Sequence, residues 1–395
     1  MGLARRRVVV KFGGADLSNG EKIRKAAEMV VKSGYGEMVV VVSAMGDTTN
    51  RLVKLLSRIG GVSDREYADI VSMGERTSAR VFCSALRARG AVATYLDPSM
   101  EEWPIITDSN YRDAKPDMEK TCAAVKRYLE PMLGNEIPVV CGFLGRDESG
   151  NVTTLGRGGS DTTAVLLGNC LNADEVILVK ETQGVMSADP KVVLDAKPLK
   201  NLDIHEMFAL AHGGAKIVKA EALRYKLPKQ RLKVVSFSSG LRSPGTQISG
   251  VFNFNSFEIR QRRSLLAISL VGEINSKSMS ALFSRLGDRA IYGVSSGAES
   301  ITVFTSSENA RELLNDLHGS GAFRAVSCRE DIGMIELTHP IFIDSPGWVA
   351  KVTGALASRG INIIEITTSK ASINVFIDES RLEEAIKAVR GTLES

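Results

Sequence analysis

Three glycine-rich segments, far apart along the chain, each carry a side chain able to hold an anion. The first is Val10-Lys11-Phe12-Gly13-Gly14, where an apolar run breaks at paired glycines. With no Cβ in the way, backbone amides there can approach a phosphate closely, and Lys11 adds a compact positive charge. The second, Leu155-Gly156-Arg157-Gly158-Gly159-Ser160-Asp161, leads into an apolar helical stretch through Leu171. Ser160 suits an N-cap, and the free amides of a helix N-terminus attract an anion. Arg157 can grip a carboxylate with two hydrogen bonds, which suits an amino-acid substrate. Asp161 admits two roles, a dipole partner in the first helical turn or an organiser of Lys11 and metal-bound phosphates. The third segment is His212-Gly213-Gly214-Ala215-Lys216. Lys11 and Lys216 together would neutralise a triphosphate and a migrating phosphoryl group, the main demand of a loose in-line transfer. The chain has no GxxxxGK[ST] sequence, so a P-loop is not the source of the phosphate site.

Something must bring these segments together. Apolar runs at Val8–Lys11, Met38–Val42, Ile137–Cys141 and Val176–Val179 read as buried strands. Between them lie helical patterns: Ile23, Ala26, Ala27, Val30 and Val31; Leu52, Leu55, Leu56 and Ile59; Met118, Cys122, Val125 and Leu129; and Ala164–Leu171. Strands alternating with amphipathic helices predict an α/β domain, a largely parallel sheet covered on both faces. After Pro244-Gly245-Thr246 the texture changes, and Val251–Arg263 reads as a linker. Two copies of a strand–helix–strand–strand–helix plan follow, the second with Ser345-Pro346-Gly347 opening a helix and Gly360 closing it.

Bulk properties exclude several classes. The 395 residues allow more than one hydrophobic core, and a net charge of +4 from 50 basic and 46 acidic side chains gives no general field for nucleic acid or anionic lipid. Apolar runs are too short to span a bilayer and no export signal precedes the first glycines, so a cytoplasmic protein is expected. The five cysteines lack CxxC spacing and read as core thiols rather than disulfides or zinc ligands; no protein-held metal is expected.

The set Lys11-Phe12-Gly13-Gly14, Ser43-Ala44-Met45-Gly46 with Thr49-Asn50, Gly74-Glu75 and Gly156–Asp161 resembles the ordered motifs of aspartokinases, in the amino-acid kinase superfamily. The likeness continues through Gly184, Ala188-Asp189-Pro190, Gly214-Ala215-Lys216 and Pro244-Gly245-Thr246 into tandem ACT domains. It implies a three-layer, mostly parallel amino-acid kinase domain at 1–250, a linker at 251–263, and ferredoxin-like α+β ACT domains at 264–331 and 332–395. It implies transfer of the γ-phosphoryl of ATP to the β-carboxylate of L-aspartate, with Mg2+ held mainly by the phosphates.

By the same resemblance Lys11, Asp161 and Lys216 are catalytic, and Ser43, Thr49, Glu75, Phe143, Arg157 and Ser160 bind aspartate. Lys11, Gly13, Gly14, Lys180, Glu181, Met186, Lys191 and Lys216 fall on the nucleotide side. Chemistry agrees: Arg157 can pair a substrate carboxylate and Glu75 its ammonium, and no strong base is needed for an acceptor already ionised at neutral pH. One stretch departs from the family pattern, with Lys180-Glu181 where Thr-Asp is common, Met186 for tyrosine and Lys191 for arginine. Lys180 and Lys191 retain positive charge, and Met186 can pack on a purine face.

The resemblance also implies an amino-acid effector (lysine or threonine) at the ACT domains and a homodimer or homotetramer. The first ACT-like copy lacks the Pro-Gly turn, having Glu273-Ile274-Asn275-Ser276 in its place. A kinase for another small acid, or an amino-acid sensor built on a silent kinase domain, are the competing readings. The Ser43, Glu75 and Arg157 set opposes the first, and retention of Lys11, Glu75, Arg157 and Asp161 opposes the second.

Overall fold

The apolar run behind the first glycine pair forms β1 (Arg7–Phe12), which is buried on both faces and lies near the middle of an eight-stranded sheet. The structure is a computed structural model describing residues 6–156, 158–213, 217–252, 256–369 and 371–393, without the side chains of His212, Ile343 and Asp344. The chain divides into two compact units at residue 252.

In the first unit, β1 is followed by α1 (Gly20–Lys32), β2 (Glu37–Val42), α2 (Thr48–Ile59), α3 (Asp64–Arg87) and β3 (Ala93–Leu96). Next come α4 (Met118–Ala124), β4 (Ile137–Cys141), the small hairpin β5 (Leu144–Arg146) and β6 (Val152–Thr154), then α5 (Gly159–Cys170) and β7 (Glu175–Lys180). The unit ends with β8 (Asn201–Asp203), α6 (Ile204–His212), β9 (Arg231–Ser236) and β10 (Thr246–Ser249). The strand order is β3-β4-β2-β1-β7-β9-β10-β8, parallel throughout except where β10 meets β9. Continuous valine and isoleucine runs suit strands covered on both sides. The expected parallel sheet is therefore present.

Register fixes what happens at the sheet's carboxyl edge. Lys11 lies level with Val41 on β2 and with Leu178 on β7. The glycine turn after β1, Ser43 after β2, Phe143 after β4 and Lys180 ending β7 therefore share one edge, where open α/β sheets bind ligands. α5 packs against β1 and β7, which brings its first turn to that edge.

Two expectations need correction here. Cys122 and Cys170 form a disulfide joining α4 to α5 rather than remaining core thiols. Their spacing of 48 residues carries no local signal of the pairing, which the packing of α4 against α5 creates. Cys83 and Cys141 are buried free thiols and Cys328 is exposed. In α2 only Leu56 is buried, while Leu55 and Ile59 face outward.

The second unit is one six-stranded antiparallel sheet with helices. Its elements are β11 (Glu258–Val271), α7 (Ser276–Leu286), β12 (Ile291–Ser296), β13 (Ser300–Ser306), α8 (Ala310–Gly319) and β14 (Ala325–Thr338). The rest are α9 (Ile341–Asp344), α10 (Trp348–Ala357), β15 (Ile363–Ser369), β16 (Ser372–Asp378) and α11 (Leu382–Leu393). The order β12-β13-β11-β14-β16-β15 holds two ferredoxin-like lobes that share the two 14-residue strands. Residues 258–263, expected as linker, are strand, because Glu258–Arg262 pair residue for residue with Met334–Thr338. The second lobe thus takes its fourth strand from before the first lobe.

Each lobe has its own core, one around Leu266, Ile268 and Leu282, the other around Leu337, Val375 and Leu356. A third cluster joins them, centred on Phe304 and Phe376, whose rings stack at 3.8 Å. Two strands lie between β13 and β16 in the sheet, a separation of about 14 Å if it were flat, so the sheet must curl onto itself. Among the described residues no helix is long and apolar enough to cross a membrane.

Candidate active site

A cavity of about 400 Å³ opens at the carboxyl edge of the parallel sheet, with Lys11, Gly14, Ser43, Thr49, Glu75, Phe143, Ser160 and Asp161 among its lining residues. Eight positions singled out in the sequence thus converge. Arg157 and Lys216, with Gly214 and Ala215, lie outside the described residues.

Gly14 permits the convergence by its lack of a side chain. A Cβ there would sit 2.7 Å from Ala44 O and 2.9 Å from Gly46 O, so any other residue would push the β1 and β2 turns apart. Gly46 N donates to Gly14 O at 2.9 Å, locking the two turns together. The first turn of α5 begins at Gly158, whose φ of 77° favours glycine. The expectation that Ser160 caps α5 is corrected: Gly158 is the N-cap, with no side-chain cap bond, and Ser160 sits inside the first turn. Phe143 also has positive φ, 69°, unusual for an aromatic residue. Its amide donates to Thr163 Oγ1 and its carbonyl accepts from Leu155 N, which hold that conformation and turn the chain into the cavity.

Two buried carboxylates behave oppositely. Glu75, on α3, is 3% exposed; its Oε1 accepts from Ala44 N at 3.1 Å and from Thr49 Oγ1 at 3.5 Å, while Oε2 has no partner. Burial raises its pKa to about 7 against those hydrogen bonds. The site is therefore one donor short, as it would be if a cationic group were to enter. Asp161 is also buried, which alone would raise its pKa, but the ammonium groups of Lys11 and Lys180 outweigh burial and bring it to about 2. Lys11 Nζ lies 2.6 Å from Asp161 Oδ1. Asp161 lies in the first turn of α5 and contacts Lys11, so its position is compatible with both roles open to it.

The remaining positions divide. Gly13 N donates to Asp16 Oδ2 at 3.0 Å, beside Lys11. Lys180 reaches Asp161, 3.1 Å from its Oδ2. Glu181 is exposed and pairs with Lys22 at 2.8 Å. Met186 and Lys191 lie on the 181–200 loop, Met186 bridged to Pro198 and Lys191 exposed; neither lines the cavity.

Sequence reasoning passed over three side chains. Asp16 is 2% exposed, its Oδ1 has no partner, and burial raises its pKa to about 6. Its spacing of three from Gly13 was the available signal, an acidic group turning back onto a glycine amide. Arg112 and Tyr67, unlike Asp16, line the cavity, the guanidinium 4.3 Å over the Tyr67 ring and 2.7 Å from Asp64. No local pattern marks that pairing, which depends on a loop folding back over α3. Among the described residues no cluster of three or more carboxylate, histidine or thiol groups is placed to hold a metal.

The sequence profile of the Amino acid kinase family matches residues 6–235, and that of an ACT domain matches 327–391. The aspartokinase of Corynebacterium glutamicum is 32% identical, over 97% of this chain and 94% of its own. The aspartate kinase Ask_LysC of Stutzerimonas stutzeri is 31% identical over 98% and 97%. Among solved structures, the aspartate kinase from Synechocystis superposes with a TM-score of 0.72 at 26% identity, covering 98% of this chain and 70% of that one. The E. coli aspartokinase III complex with aspartate and ADP shares the fold, with a TM-score of 0.58 at 22% identity over 99% and 100%. With one profile spanning more than half of it and aspartokinases aligned along almost all of it, the chain belongs to the aspartokinase family.

Proposed function

We propose that the cavity binds L-aspartate beside the terminal phosphate of ATP and transfers the γ-phosphoryl to the β-carboxylate, giving 4-phospho-L-aspartate and ADP. This is the first step toward lysine, threonine and methionine. One observation carries the reading: a single cavity holds both a lysine–carboxylate pair, Lys11 with Asp161, and the unpaired carboxylate oxygen of Glu75. The first suits a migrating phosphoryl, the second an α-ammonium group.

In this reading Ser43, Thr49, Glu75, Phe143, Arg157 and Ser160 position aspartate, and Lys11 and Lys216 face the phosphates with Gly13 and Gly14. Lys180, Glu181, Met186 and Lys191 lie on the nucleotide side. Magnesium enters as part of the MgATP substrate, carried by its phosphates. The acceptor carboxylate is ionised at neutral pH, so the P–O bond to ADP breaks and the bond to aspartate forms without a base. Residues 264–331 and 332–395, with the strand at 258–263, form the regulatory unit.

A pocket of about 500 Å³ in the second lobe, walled by Ser345, Pro346, Gly347, Trp348, Thr368 and Ser369, suits an amino-acid effector such as lysine or threonine. Gly347 caps α10 without a side-chain bond, leaving its amides open to a carboxylate, and Trp348 Nε1 is buried without a partner. Inhibition there requires different affinity for two conformations of the enzyme, in a cytoplasmic homodimer or homotetramer.

The test is coupled ADP release with aspartate, glutamate and N-acetylglutamate as acceptors, then with lysine, threonine and methionine added separately. Turnover is expected with aspartate, lowered by lysine or threonine. Preference for another acid would refute the assignment of substrate.

A further inference from the structure

The end of β7 places a second ammonium group on the carboxylate that already holds Lys11. Asp161 Oδ2 lies 3.1 Å from Lys180 Nζ, and Oδ1 lies 3.3 Å from it and 2.6 Å from Lys11 Nζ. Register explains the meeting. Lys11 is level with Leu178 on the neighbouring parallel strand, and Lys180, two residues on, projects from the same face, under the first turn of α5.

Lys180 shares its ion-pair partner with Lys11. One carboxylate serves two ammonium groups, and Lys11 makes the shorter contact. Asp16, its pKa raised by burial to about 6, is mostly ionised at neutral pH and acts on both lysines through space, but its Oδ2 accepts from Gly13 N and its Oδ1 has no partner, so it makes no direct contact with Lys180. Glu181 is engaged by Lys22. The Lys180 side chain is 19% exposed, and burial brings its pKa down to about 8 despite Asp161. A lysine whose only task was to neutralise Asp161 would duplicate Lys11 while bearing the desolvation of its own charge. Two ammonium groups gathered on one carboxylate, beside the first turn of α5, suit an incoming polyanion.

We propose that Lys180 is a further phosphate-facing lysine, beyond Lys11 and Lys216: it rests on Asp161 beside Lys11 in the free protein and turns to the triphosphate when nucleotide binds, so that it and Lys11 flank the migrating phosphoryl. The inference rests on the phosphotransfer reading above and goes further by assigning Lys180 a contact with the reacting group. Both lysines keep their protons throughout; the γ-phosphorus exchanges its bond to the ADP oxygen for one to the aspartate carboxylate.

The full-length protein, Lys180→Met and Lys180→Arg are compared by aspartate-dependent ADP release and by calorimetry with magnesium β,γ-imido-ATP. Lys180→Met is expected to lose about 100-fold in kcat and at least about tenfold in analogue affinity, with the aspartate KM within about threefold; Lys180→Arg recovers most of the analogue affinity. Values for Lys180→Met within about threefold of wild type in both kcat and analogue affinity would overturn the proposal. Should that variant misfold, Lys180→Cys is alkylated with 2-bromoethylamine, which rebuilds an ammonium of similar reach. The treated wild type serves as control because Cys328 is exposed. Regained activity supports the proposal, and a folded, alkylated protein that stays inactive overturns it. A wild type that releases no ADP with aspartate defeats the earlier reading, while the analogue-affinity comparison still decides Lys180.

Discussion

Glu75 and Asp161 line the same cavity and are equally hidden from water, yet one is pushed toward neutrality and the other held fully charged. The difference is the company of cations, present at Asp161 and missing at Glu75 until a substrate ammonium arrives. Aspartate binding therefore needs Glu75 ionised in the free enzyme. With a pKa of about 7, the aspartate KM is expected to be about tenfold higher at pH 6 than at pH 8, and Glu75→Gln should flatten that dependence while raising KM. A pH-independent KM in the wild type would remove Glu75 from the ammonium site. Stability moves the other way. A carboxyl whose folded pKa lies above its unfolded value contributes most below the unfolded value, and that contribution is lost as pH rises through the folded one. Glu75→Gln should accordingly stabilise the unliganded protein at pH 8 by up to about 3 kcal/mol and scarcely at pH 4, checked by urea unfolding at both pH values. At Lys11 the charge matters most as the phosphoryl moves. Lys11→Ala is expected to lower kcat by about 100- to 1000-fold with little change in aspartate KM, measured by steady-state kinetics.

At the scale of elements, the site depends on how closely neighbouring turns approach. Gly14→Ala would drive a methyl group into Ala44 O and Gly46 O, separating the β1 and β2 turns that carry Lys11 and Ser43. An activity loss of about tenfold or more is expected, with a cost of about 1–3 kcal/mol in thermal or urea unfolding; wild-type kinetics would show that the turns can spread without harm. The Cys122–Cys170 bond ties α4 to α5, the helix that begins at Asp161's turn, and closes a loop of 48 residues. Loop-closure entropy sets its contribution at up to about 4 kcal/mol, so reduction or Cys122→Ser should lower the urea midpoint of the first unit. An unchanged midpoint on reduction would show that this loop is equally ordered without the bond.

For the molecule as a whole, the second unit is a pair of lobes that cannot be cut apart between consecutive residues. β11 and β14 each serve both lobes, and Phe304 and Phe376 pack one lobe's sheet onto the other's. Phe304→Ala is expected to cost about 3–5 kcal/mol and to destabilise both lobes together, read as a single shifted transition of this unit in calorimetry. Separate transitions for the two lobes would show that the shared strands do not couple them. In the kinase unit, a parallel sheet buried on both faces leaves its carboxyl edge as the place where strand-end turns can expose polar groups without breaking the core.

Glycine pairs beside lysine, the Gly-Arg-Gly-Gly-Ser-Asp run and the alternation of valine-rich strands with amphipathic helices were legible because turn chemistry and side-chain period are local properties. So were Lys11 and Asp161 as chemistry-bearing groups, whereas Glu75 was singled out only by the resemblance to aspartokinase motifs. Which of them touch was decided by packing. Lys180 meets Asp161 because β7 runs level with β1 and α5 lies across both, and Cys122 finds Cys170 because α4 lands on α5. Residues 258–263 became strand because the partner edge of β14, some seventy residues on, was there to pair them. Spacing along a chain prescribes the local bend of the backbone; contacts between distant residues depend on register and layer order, which a buried core settles only once the whole domain has assembled.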